Sequence, residues 1–176
     1  MSIFTAIDGV FALPAMGAAI WAWVASFALC VLLVLTQRWH GVLTMDHMEG
    51  VQKFHTAPTP RIGGVPIVLG LVLAWARAPV QVQALLTPML LAGLPAFVFG
   101  VAEDITKQVG VTQRLLATMA SGLLAWALTD YSLTRVDVWC VDAALTWLPV
   151  SVVFTAFPVG GVANSINIID GFNGLA

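Results

Sequence analysis

What this sequence has least of is charge. Only 9% of its 176 residues are Asp, Glu, Lys or Arg, against about 25% in an ordinary soluble domain. So few charges cannot cover a globule of this size, which excludes a water-soluble fold. Lys and Arg form no run and the net charge is −2, so nothing here suits nucleic acid. Two cysteines, Cys30 in an apolar run and Cys140 in a connector, make neither a disulfide framework nor a metal-binding spacing. No Lys or Arg precedes the first apolar run, which therefore reads as a retained anchor rather than a cleaved signal peptide. Low-complexity tracts and internal repeats are missing as well.

What remains is apolar. Hydrophobic residues make up 60% of the chain, mean hydropathy is +0.94, and seven Trp are present, a residue favoured at membrane–water interfaces. The class this implies is an all-α polytopic membrane protein, a single transmembrane domain over residues 1–176. About five transmembrane helices can be read. The first is Met16 to Leu35, free of charge and about the length that crosses a ~30 Å hydrocarbon core. The second, Ile62 to Ala76, follows Thr59-Pro60, which reads as N-cap and first helical residue. Ala84 to Ala102, with Pro88 and Pro95 inside it, is the third; Leu115 to Thr129 is the fourth. The fifth begins at Ala143 and runs into the C-terminal stretch.

Alternation of sides sorts the cations. Arg38, Lys53, Arg61, Lys107 and Arg114 share one side, Arg77 and Arg135 the other. The positive-inside rule makes the richer side cytoplasmic and the N-terminus external. Three polar segments then share the cytoplasmic face. In the first, Lys53, His55 and Arg61 surround a helix start, a setting that suits an anion. Its plainer reading is a capped helix with flanking cations, and His40 and His47 read as loop residues.

The second segment sets Glu103 beside Asp104, followed by Lys107 and Arg114. Such a pair can be the solvated edge of a helix, yet adjacent carboxylates repel and are relieved by a hard cation such as Mg²⁺. The third segment spaces Asn164, Asn167, Asp170 and Asn173 every third residue, across the end of a run that carries no charge from Ala143 to Ile169. On a helix the first three share a face. The amides alone could glue helices together, but an acid at this depth wants a metal, a cation or a proton. Together the segments describe a membrane enzyme that handles a diphosphate with Mg²⁺. An ion-coupled transporter with a broken last helix and a non-catalytic membrane fragment are the competing readings.

The three segments, HTAPTPRIGG, GVAEDITK and NSINIIDGFNGLA, resemble the successive cytoplasmic signatures of the polyprenyl-phosphate N-acetylhexosamine-1-phosphate transferases, the MraY/WecA-like glycosyltransferase family 4 superfamily. By span order the likeness covers essentially the whole chain. It implies transfer of a sugar-1-phosphate from a UDP-N-acetylhexosamine to undecaprenyl phosphate, with release of UMP, to start a cell-envelope polysaccharide. It implies Mg²⁺, replaceable by Mn²⁺, a multi-pass setting in the inner (cytoplasmic) membrane, and a homodimer, since the family often pairs subunits. Glu103, Asp104, Asn167 and Asp170 become the catalytic positions, with Glu103, Asp104 and Asp170 at the metal. Lys53, His55, Arg61, Lys107, Arg114, Asn164 and Asn173 become substrate contacts. Two positions depart from the family pattern: Glu103 stands where Asp is usual, and Asn173 where a second acid is usual. The family continues through further spans with another metal-binding Asp, so the resemblance implies that this chain is the N-terminal half of a longer transferase.

Overall fold

The structure is a computed structural model and describes residues 13–44 and 61–169. Among them the chain forms six α-helices and no strand: α1 Leu13–Thr44, α2 Gly64–Arg77, α3 Val80–Thr106, α4 Val111–Thr129, α5 Trp139–Leu145 and α6 Leu148–Ile169. The all-α membrane class stands. The span count is lower than the apolar runs suggest. Among the described residues three segments are long and apolar enough to cross a bilayer: Met16–Trp39, Val80–Thr106 and Leu148–Ile166. Helix α2 is apolar but only 14 residues long, a rise of about 21 Å. Helix α4 has 19 residues, but Thr112, Gln113, Arg114, Thr118 and Ser121 dilute its apolar character.

Boundaries also move. Helix α2 starts at Gly64 with Gly63 as N-cap, and Arg61 stands in the bend before it, so the described helix does not begin at Pro60. Thr59 and Pro60 themselves lie outside the described residues. Helix α3 continues through Glu103 and Asp104 to Thr106, which shrinks the expected connector to four residues, 107–110. Lys107 ends α3 in the left-handed region at φ 56°, its N–H donating to the Glu103 carbonyl at 2.8 Å. Helix α4 then starts after Gly110, whose N–H donates to the Gln113 side-chain oxygen at 3.0 Å. That contact satisfies one donor at the helix start. Arg114 therefore belongs to the first turn of a helix and not to a loop.

The chain divides into two compact units. The first holds α1, α2 and α3 as far as Leu90. In it α2 lies tightly on α1: a Cβ at Gly70 would stand 2.9 Å from the Ala22 carbonyl oxygen and 3.0 Å from the Ser26 Cβ. The Arg77 guanidinium sits 5.2 Å from the centre of the Trp21 ring, a cation–π contact. Trp75 Nε1 donates to Thr87 Oγ1 at 3.0 Å, tying the end of α2 to the start of α3.

The second unit holds α3 from Leu91 together with α4, α5 and α6. Here α4 and α6 run antiparallel with small residues at their contact. A Cβ at Gly122 would fall 2.9 Å from the Ala156 Cα; one at Gly160 would fall 2.7 Å from the Met119 Cγ and 3.3 Å from Thr118 Oγ1. The Thr118/Gly122 and Ala156/Gly160 pairs, each four residues apart, let the backbones approach closely, as small residues do between membrane helices. The connector after α4 is strapped to α6. The buried Ser151 hydroxyl donates to the Leu133 carbonyl at 2.6 Å, and the Leu133 N–H donates to Thr155 Oγ1 at 2.7 Å.

Candidate functional site

The antiparallel register of α4 and α6 builds the site. Gly122 stands against Ala156 and Thr118 against Gly160; one turn further towards the start of α4, Arg114 meets Asn164. Arg114 Nε donates to Asn164 Oδ1 at 3.1 Å. Its Nη1 donates to both oxygens of Glu103, at 3.0 and 2.8 Å. The Arg114 and Glu103 side chains are only 13% and 16% exposed. Below them the buried Thr118 hydroxyl turns back to the Arg114 and Leu115 carbonyls at 3.1 and 2.9 Å. Ser121, also buried, accepts the Ala96 N–H at 3.1 Å and fastens α3 to α4.

This ion pair is not there to help its own helices. Glu103 lies in the last turn of α3, where the macrodipole is negative, and Arg114 in the first turn of α4, where it is positive. Each charge is at the unfavourable end of its own helix, and each is compensated by the other. Such placement fits a site rather than helix stabilisation.

Glu103, Arg114 and Asn164 are brought together. Asp104 is half-buried in the last turn of α3, and Lys107 is exposed just beyond it. Arg61 is half-buried in the bend before α2, in the first unit. Asn167 lies in the last turn of α6, but its side chain, like that of His40, is outside the described residues. Lys53, His55, His47, Asp170 and Asn173 are outside them altogether. Among the described residues no three His, Cys, Asp or Glu side chains converge as a metal cage. Mg²⁺ does not require one, since it usually takes one or two carboxylates and completes its shell with phosphate and water. A single carboxylate at this helix end, Asp104, suits that habit, whereas both Glu103 oxygens already accept from Arg114.

Sequence reading missed the partnership of Arg114 with Glu103, having assigned that guanidinium to phosphate. A signal was present: Ala156, Gly160 and Asn164 are spaced by four, as are Arg114, Thr118 and Gly122, so each set marks one helix face.

Compared with known protein families, residues 86–176, just over half of the chain, match the model of glycosyl transferase family 4. GVAEDITK and NSINIIDGFNGLA fall inside the match, while HTAPTPRIGG falls outside it. The likeness is thus carried by the C-terminal rather than the N-terminal portion of the chain, and not by its whole length. No curated protein and no solved structure matches the chain.

Proposed function

The chain belongs to glycosyl transferase family 4, whose members pass a phospho-sugar to a lipid carrier, and from that premise we propose that it transfers the sugar-1-phosphate of a UDP-N-acetylhexosamine to undecaprenyl phosphate. The observation that carries the reading is the Glu103–Arg114–Asn164 cluster, assembled inside the matched residues and beside Asp104. A phosphate oxygen of the lipid attacks the phosphorus that bears the sugar. The bond from that phosphorus to the bridging oxygen breaks, and UMP leaves with the electron pair. The product is the sugar joined to the lipid through a diphosphate. The attacking phosphate is largely ionised at neutral pH, so the protein's work is to position it and to balance charge.

Asp104 and Asp170 would hold Mg²⁺, which when bound neutralises diphosphate charge. Arg114 and Lys107 offer donors to phosphate oxygens, and Asn164 and Asn167 offer amides to the polar head group. The bilayer supplies the lipid substrate directly to the helix ends, in keeping with a multi-pass protein of the cytoplasmic membrane with its polar loops inside.

The test uses the full chain in liposomes with UDP-N-acetylglucosamine, undecaprenyl phosphate and Mg²⁺. The expected result is UMP release matched by lipid-linked sugar, both lost on chelation and in Asp104→Asn and Asp170→Asn. Ion flux without UMP release would point to a transporter instead. UMP release unchanged in both variants would remove these acids from the site.

A further inference from the structure

We propose that Glu103 is a positioning residue, whose carboxylate sets the Arg114 guanidinium against Asn164, and that the metal-facing carboxylate of the pair is Asp104. The inference rests on the transfer reading above and divides the labour of its two adjacent acids. Both oxygens of Glu103 accept from Arg114 Nη1, at 3.0 and 2.8 Å, with the two side chains largely withdrawn from solvent. At that exposure, removing one partner leaves the other charge poorly compensated, a larger penalty than at a surface pair.

Side-chain length makes the assignment specific. An Asp at 103 would place its carboxylate about 1.5 Å, one C–C bond, further back. From the Glu103 distances, such a retreat breaks the contact unless α3 and α4 close up. Two edges of the guanidinium are then fixed, Nη1 by Glu103 and Nε by Asn164. The plane of a fork held at two edges no longer rotates. Among the described residues Nη2 has no partner, so its donors keep a set direction, available to an anionic ligand. Glu103 also spans the helix ends: it sits on α3, Arg114 on α4 and Asn164 on α6. One carboxylate thereby aligns the three elements that carry the polar segments of the second unit.

The test separates metal from anion binding and does not depend on turnover. The full chain in nanodiscs is titrated with Mn²⁺, followed by electron paramagnetic resonance, and separately with UDP, followed by calorimetry; melting temperatures are recorded for every variant. Glu103→Gln and Glu103→Asp are expected to change Mn²⁺ affinity by less than about threefold, while Asp104→Asn weakens it more than about tenfold, some 1.4 kcal/mol. Both Glu103 variants are expected to weaken UDP by about tenfold. The charge swap Glu103→Arg with Arg114→Glu is expected to recover melting temperature relative to either single change, because the pair is restored, without recovering UDP affinity, because the guanidinium has moved. Loss of Mn²⁺ in Glu103→Gln equal to that in Asp104→Asn would make Glu103 a metal ligand and overturn the proposal. UDP affinity unchanged in both Glu103 variants would reduce the pair to a helix staple. A wild-type chain that takes neither Mn²⁺ nor UDP would instead overturn the transfer reading beneath it.

Discussion

Lys107 shows how a single residue can be placed against its own preference. It ends α3 at φ 56°, a conformation that costs a residue with a Cβ about 1 kcal/mol or more and that glycine enters freely. Its charge suits the negative end of the helix, but glycine is the commoner choice for this left-handed position. On the transfer reading proposed above, the Lys107 charge also meets a phosphate oxygen of the substrate. Lys107→Gly should therefore leave the melting temperature unchanged or raise stability by up to about 1 kcal/mol, its relief of strain offset in part by unfolded-chain entropy. Transfer should fall at least about tenfold, the loss of one charge-assisted contact of about 1.5 kcal/mol. Lys107→Gln should lose as much activity without the gain in stability. Thermal melts read alongside UMP release check both; full activity in Lys107→Gly would leave the lysine charge with no role in transfer.

At the scale of elements, the α4–α6 contact decides whether the site exists at all, because Asn164 meets Arg114 only in the register that Gly122 and Gly160 permit. A methyl group at Gly122 would press on the Ala156 backbone, which cannot move without its helix, whereas at Gly160 it would press on the Met119 side chain, which can re-orient. Gly122→Ala should then cost about 1–3 kcal/mol, the usual penalty of overpacking, and Gly160→Ala less. Detergent-melt profiles of the two variants give the comparison, and Gly122→Ala should also impair UDP binding through the displaced Asn164. Equal, negligible effects would mean that the two helices separate more easily than their packing implies. Both glycines are visible in the sequence, as is their four-residue spacing from Thr118 and Ala156. Their pairing is not, because a spacing defines a face on each helix but not which residue of one face lies opposite which residue of the other.

At the scale of the whole molecule, the orientation expected from the cations of five alternating spans can be tested with the chain's own cysteines. Both are free, Cys140 exposed and Cys30 partly covered within α1. If the side bearing Lys107 and Arg114 is cytoplasmic, a membrane-impermeant maleimide should label Cys140 on intact spheroplasts. Gln108→Cys, made in a Cys140→Ser background, should label only after permeabilisation. The reverse pattern would invert the orientation and place the acidic pair outside.

Composition alone determined the solvent of this protein, because a chain with so few charges cannot be covered by water. Charge-free apolar runs located the helices, but not their lengths: α1 continues to Thr44 instead of stopping at Leu35, and α2, with 14 residues, is shorter than a bilayer asks for. The second and third signatures pointed to the same family as the match over residues 86–176. Tertiary structure decided how the polar residues are used. It carried Glu103 and Asp104 inside α3 and Arg114 inside α4, then laid α6 beside them so that one guanidinium spans Glu103 and Asn164. The sequence lists a carboxylate, a guanidinium and an amide separated by 11 and 50 residues. Whether they meet depends on helix termination at a left-handed lysine and on close packing at two glycines. Both act through backbone geometry, to which side-chain chemistry along the chain is only a partial guide.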